Sequence, residues 1–138
     1  MLQNDFKEFE KYHKNIYNIE FHIICGFIFM TSLFILSRKY SKLLIIIYSL
    51  LLLFTINNIL IVLIIFIILF IMVYYASKYN ISKITILVLF IVFYFLPDLS
   101  HYLTKEPTLL NINNINPINI ITNILYLLPF SMKCLFKI

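Results

Sequence analysis

A chain of 138 residues has room for one domain, yet this one is 62% hydrophobic and only 12% charged, with a mean hydropathy of +0.97. Soluble domains run nearer half apolar and a quarter charged, so the surplus apolar surface must face lipid, and a soluble globular fold is excluded. The net charge of +5 comes from basic residues grouped beside apolar segments, as membrane anchors are; no basic stripe suits nucleic acid, and one Gly builds no phosphate loop.

The fold class that follows is an all-α integral membrane protein. It has four to five transmembrane or re-entrant helices and an N-terminal interfacial helix, in a single membrane domain over 1–138. In residues 1–18, Phe6, Phe9, Tyr12 and His13 recur at helical spacing with charges between them, which predicts an amphipathic helix lying at the interface. The opening residues are too polar for a cleaved signal, so the first apolar segment is expected to act as an uncleaved insertion signal. That first span is predicted over 19–36 and ends at the basic "SRKYSK".

The apolar block from Leu43 to Tyr75 would be about 50 Å long as one helix, against a hydrocarbon core of about 30 Å. Thr55, Asn57 and Asn58 lie in its middle, so two helices are predicted, over 43–54 and 59–75, joined at "TINN". The first arm is short for a crossing and is expected to thin the bilayer or to be partly re-entrant. A fourth segment is predicted over 84–96, kinked or ended by Pro97. The stretch 118–136, with Pro129 inside it, is either a fifth span or an interfacial hairpin. Cys25 and Cys134 have no metal spacing and read as reduced packing residues.

The chain has three histidines, His13, His22 and His101, and the crossing count bears on whether they meet. Four crossings bring the chain back to the side on which it started, so the segment ends carrying His22 and His101 emerge together. The loops at 37–42 and 76–83 with the C-terminus hold seven Lys/Arg, and the opposite side holds four, which puts the histidine side away from the cytoplasm.

The polar candidates are His13, His22, His101, Asp98, Glu106 and Glu20. At segment ends such groups can simply mark the membrane boundary; clustered, they suggest a metal site. On one unbroken helix His13 and His22 would point about 180° apart, so they converge only if the chain breaks between them. Asn15 and Asn18 are the break candidates, with Asn18 as the N-cap of the first span and His22 one turn further on. Asp98 lies three residues before His101, on its face, and Glu106 needs a turn that Pro107 would help to make. Two or three His plus a carboxylate suit non-haem Fe(II), and three His plus water suit Zn. Three histidines are too few for the boxes of di-iron desaturases and too peripheral for a bis-histidine haem.

The motif "YHKNIYNIEFH", with Tyr12, His13, Asn18 and His22, followed after the fourth span by "LSHYLTKEPTL", with His101, Glu106 and Pro107, resembles the 2-hydroxy-palmitate dioxygenase family of small endoplasmic-reticulum membrane proteins. Phe27 and Ser100 depart from its usual residues. The resemblance implies an Fe(II)-dependent dioxygenase of the endoplasmic-reticulum membrane. It would use O2 to shorten a 2-hydroxy fatty acid by one carbon in α-oxidation, with a membrane lipid environment around the substrate. His13, His22 and His101 would be metal ligands, Asp98 and Glu106 supporting groups or an extra ligand, and Lys14 or Lys105 partners for the substrate carboxylate. The competing reading is a non-enzymatic structural or assembly membrane protein.

Overall fold

The computed structural model describes residues 2–56, 58–79, 81–107 and 117–136. Among them are six α-helices and no strand: α1 (Leu2–Tyr12), α2 (Ile16–Leu36), α3 (Ser41–Ile56), α4 (Ile59–Lys78), α5 (Lys83–Thr104) and α6 (Pro117–Phe136), with a 3-10 turn over Arg38–Tyr40. Four are long and apolar enough to cross a membrane: Ile16–Leu36, Arg38–Ile56 (the turn plus α3), Ile59–Lys78 and Lys83–Thr104. The protein is an all-α membrane protein. The apolar part of α6, Ile124–Phe136, falls short of that length.

The chain forms two compact units, one of residues 25–94 and one of residues 1–24 with 95–138. Within the first, α3 buries Ile45, Tyr48, Leu52 and Ile56, and α4 buries Ile61, Ile65, Leu69 and Val73, each a single stripe at helical spacing. Their opposite faces expose Leu43, Ile46, Leu50, Leu63, Ile67 and Phe70, the composition of a surface that meets hydrocarbon. Hydroxyls inside these helices bond their own backbone: Ser49 donates to the Ile45 carbonyl and Thr55 to that of Leu51, both at 2.8 Å. The break falls where the long apolar block demanded one. Asn58 is extended and caps α4, accepting from Ile61 N–H at 3.1 Å; Asn57 lies outside the described residues.

Two spans run further than the sequence suggests. The arm before the break is not short, because the turn and Ser41–Lys42 extend the helix to 19 residues, Arg38–Ile56. Its first turn is charged, which apolar patterning does not count. Helix α5 does not stop at Pro97 but runs through it to Thr104. Proline inside a helix costs about 3 kcal/mol. Here Pro97 is buried, and Ser100 Oγ lies 2.7 Å from the Pro97 carbonyl, sharing its one hydroxyl proton between that carbonyl and Asn18 Oδ1.

In the unit of residues 1–24 and 95–138, α1 packs on α6 through aromatic edges: Phe6–Phe130 at 5.5 Å and Phe9–Phe130 at 5.7 Å between centroids. Lys133 of α6 sets its ammonium 4.5 Å from the Phe6 ring centre. Phe9 is thereby fixed, and it forms one wall of the site.

Candidate metal centre

The site begins with a break in the chain. Helix α1 ends at Tyr12 and α2 begins at Ile16, with His13 in the gap. Asn15, not Asn18, is the N-cap: its carbonyl accepts the first helical bond, from Ile19 at 3.1 Å, and its Oδ1 accepts from Tyr17 N–H at 2.9 Å. The break frees His13 to turn towards His22, which a continuous helix would forbid.

The far side comes from the end of α5. Lys105 adopts φ 58°, the left-handed region. Glu106 N–H then bonds the His101 carbonyl at 3.0 Å and Lys105 N–H the Tyr102 carbonyl at 3.4 Å, the paired bonds of a Schellman stop. The turn expected of Pro107 is therefore made one residue earlier than Glu106, at a lysine in a conformation that favours glycine. It aims the Glu106 side chain at the start of α2. Glu106 Oε1 accepts from the backbone N–H groups of Lys14 and Asn15, both at 2.8 Å, and Oε2 accepts from Asn18 Nδ2 at 2.6 Å. A carboxylate thus sits where helix α2 presents unpaired N–H groups and its positive end. Burial pushes the Glu106 carboxyl up, but the bonds from Asn18, Lys14 and Asn15 and the nearness of His101 outweigh it and hold the pKa below the ordinary value.

The three histidines meet. Their ring centroids stand 4.6, 4.7 and 4.9 Å apart, and all three rings are buried. One nitrogen from each lies within 4.8 Å of the others, close enough to hold a metal ion. Two rings have their tautomer set by backbone. His13 Nδ1 donates to the Phe9 carbonyl and His22 Nδ1 to the Asn18 carbonyl, each at 2.8 Å. A carbonyl only accepts, so both protons are on Nδ1 and both Nε2 atoms carry lone pairs. Those Nε2 atoms face each other at 3.2 Å. Two bare lone pairs at that distance repel unless a cation lies between them or one ring takes a second proton. His13 resists the second proton: burial chiefly, with the nearby His101, lowers its pKa to about 4 despite the Phe9 carbonyl. Two nitrogens bound about 2.1 Å from one ion at 90–110° would stand about 3.0–3.4 Å apart, which is the spacing found.

No family model, curated protein or solved structure matches this chain. What the cluster can do follows from its own atoms.

His101 is oriented differently from the other two. Asn18 Nδ2 donates to its Nδ1 at 3.2 Å, so a side chain rather than a carbonyl sets this ring, and its proton is on Nε2; ligation through Nε2 would require that proton to move to Nδ1 and the Asn18 contact to give way. Asn18 is fully buried and is the hub of the site. Its carbonyl takes the His22 proton, its amide nitrogen serves Glu106 and His101, and its Oδ1 accepts from Ser100 Oγ. Phe9 covers the cluster from the α1 side, its ring stacked 3.7 Å from that of His13 at 8°.

Of the remaining candidates, Asp98 is half-buried on α5 and bonds none of the three rings, Glu20 is exposed on α2, and the side chains of Lys14 and Lys105 are exposed. Sequence reasoning misses Phe9, Ser100 and Asn18 as site residues: Phe9 reads there only as part of the amphipathic helix, Ser100 only as a departure from the family motif, and Asn18 only as a cap and a motif residue. The available signal was spacing: Asn18 stands four residues before His22, and Phe9 four before His13, the interval at which a ring reaches back to a helical carbonyl.

Proposed function

We propose that His13, His22 and His101 hold an Fe(II) ion and that the protein is a membrane-embedded dioxygenase of 2-hydroxy fatty acids, resident in the endoplasmic-reticulum membrane. The observation that carries the metal reading is the pair of Nε2 lone pairs facing each other at 3.2 Å, with both Nδ1 atoms committed to backbone carbonyls. The motifs "YHKNIYNIEFH" and "LSHYLTKEPTL" carry the choice of substrate. The overall conversion balances as 2-hydroxy acid plus O2 giving the acid one carbon shorter, CO2 and water, with O2 taking up the four electrons lost by the two carbons.

The bound iron would supply those electrons' path to O2 and a positive centre for the substrate's oxygens. The chain's residues do the rest. Three neutral imidazoles add no negative charge, so the site attracts a carboxylate instead of repelling it. The 2-hydroxyl and carboxylate together form a two-oxygen head, which a plain fatty acid lacks. Phe9 and the buried helix ends exclude water from the rings, and the Glu106–Asn18 bonds fix the two segments that carry His22 and His101.

The test is elemental analysis of protein purified in detergent, followed by incubation with a long-chain 2-hydroxy acid under O2 and mass spectrometry of the products. Wild type should bind iron and release the shortened acid, and His22→Ala should do neither. Iron bound without any shortened acid across chain lengths would instead favour the structural or assembly role.

A further inference from the structure

The residues from 25 to 94 hold five cations, Arg38, Lys39, Lys42, Lys78 and Lys83, and no Asp or Glu. All five belong to the two linkers at one end of this helix group. The linkers are tied together there: Arg38, itself in the left-handed region at φ 36°, donates from Nη2 to the Ile81 carbonyl at 3.2 Å. Tyr40, Tyr74, Tyr75 and Tyr79 are exposed at the same end, as tyrosines at a membrane–water interface are.

Against this cationic end lies a cavity of about 360 Å³ between α2, α4 and α5, which reaches Ile35, Ala76 and Ile81 and extends inward to Ile28 and Leu89. From Ile28 to Ile35 it follows α2 for about 10 Å. Its volume is within the range of small-molecule sites. Three hydroxyl-bearing residues line it: Thr31 Oγ1 points to Met72 Sδ at 3.7 Å, Ser32 Oγ donates to the Ile28 carbonyl at 2.8 Å, and Tyr75 is exposed at the cationic end. Water needs two to four polar partners, and the rest of the lining is aliphatic or thioether. The cavity suits hydrocarbon, and the rim suits an anion.

We propose that this helix group binds an anionic phospholipid of its own membrane, with an acyl chain in the α2/α4/α5 cavity and the phosphate headgroup on the cations of the two linkers. Basic pockets between spans take anionic headgroups for this physical reason. The lysine and arginine excess that marks this end as cytoplasmic also places it in the leaflet where anionic lipid is enriched. The site is separate in residues from the histidine cluster and stands or falls independently of the proposed chemistry. A free phosphate would gain nothing from the apolar cavity, and a zwitterionic lipid would gain nothing from the rim.

The experiment is native mass spectrometry of the full chain released from micelles that contain equimolar phosphatidylglycerol and phosphatidylcholine. Retention of phosphatidylglycerol in preference to phosphatidylcholine, one per chain, is the expected result. Each cation near the headgroup contributes about fivefold, so Lys78→Gln/Lys83→Gln should weaken phosphatidylglycerol retention about 30-fold and leave phosphatidylcholine unchanged. Ala76→Phe, which fills the cavity without altering charge, should lose the lipid while circular dichroism shows unchanged helix content. If that variant unfolds, the lysine pair, exposed and remote from the core, carries the test alone. Equal retention of the two lipids, an unaffected lysine variant, or retention of a free fatty acid in place of phospholipid would overturn the proposal and leave the cations as orientation signals.

Discussion

Glu106→Ala removes the acceptor for three N–H donors. The Lys14 N–H is exposed and regains water, so its loss costs little. The Asn15 N–H is part-buried, and the Asn18 Nδ2 lies in a residue that is 0% exposed. Bonds to a charged acceptor are each worth about 1.5–3 kcal/mol when shielded, and the helix-end charge adds about 0.3–1 kcal/mol. Discounting the exposed bond and crediting Asn18 with its remaining contact to His101 gives a destabilisation of about 2–4 kcal/mol. Equilibrium unfolding in mixed micelles would measure it, with Glu20→Ala as an exposed control expected to stay within about 0.5 kcal/mol. Metal affinity should fall as well, by about 10–100-fold, because Asn18 orients His101 and supplies the carbonyl that fixes His22. A loss below about 0.5 kcal/mol with unchanged metal binding would refute the claim that this carboxylate joins the two segments.

Lys105→Gly should raise stability by about 0.5–1 kcal/mol, seen as a higher Tm, since glycine accepts the left-handed turn without a side-chain clash; a lower Tm would mean the lysine side chain matters there. Asn58→Ala should cost about 1 kcal/mol by removing the cap on Ile61 N–H, read in the same unfolding assay. In the metal-free protein, His13 titrates near 4 when folded and near 6.5 when unfolded. The unfolded chain therefore takes up its proton first. Stability should be level above pH 6.5 and fall as pH drops towards 4, by up to about 3 kcal/mol. Measurement at pH 5 and above avoids the Glu106 carboxyl, and His13→Leu should remove only this histidine's share of the slope, since two further rings are buried beside it.

The parts of the fold that could be read in advance are those where length meets the bilayer. An apolar run as long as Leu43–Tyr75 has to break, and Asn58 is where it does. Three histidines at segment ends are able to meet if four helices return the chain to one side, and they do. The rest was hidden for separate reasons. Helix propensity condemns Pro97, but it is buried, and α5 runs through it because tertiary context overrides propensity. Asparagine is so common in this chain that Asn18 could be read only as a cap and a motif residue, and its importance as a hub comes from neighbours distant in sequence. The turn that aims Glu106 depends on one backbone angle at Lys105, a residue type that gives no sign of it.

His101 follows His22 by 79 residues (101 − 22), with α3, α4 and most of α5 made in between. At about 5–20 residues per second, the ribosome delivers the third histidine some 4–16 s after the second. During that interval the start of α2 has neither the Glu106 carboxylate on its free N–H groups nor a partner for the Asn18 amide. A nascent chain halted before residue 95 would insert three apolar helices and still hold only two of the three rings, with their lone pairs facing. If the cluster holds a metal as proposed, an ion bound at this stage would meet only two of the three rings. Synthesis of α5 therefore sets the earliest moment at which the three-histidine cluster is complete.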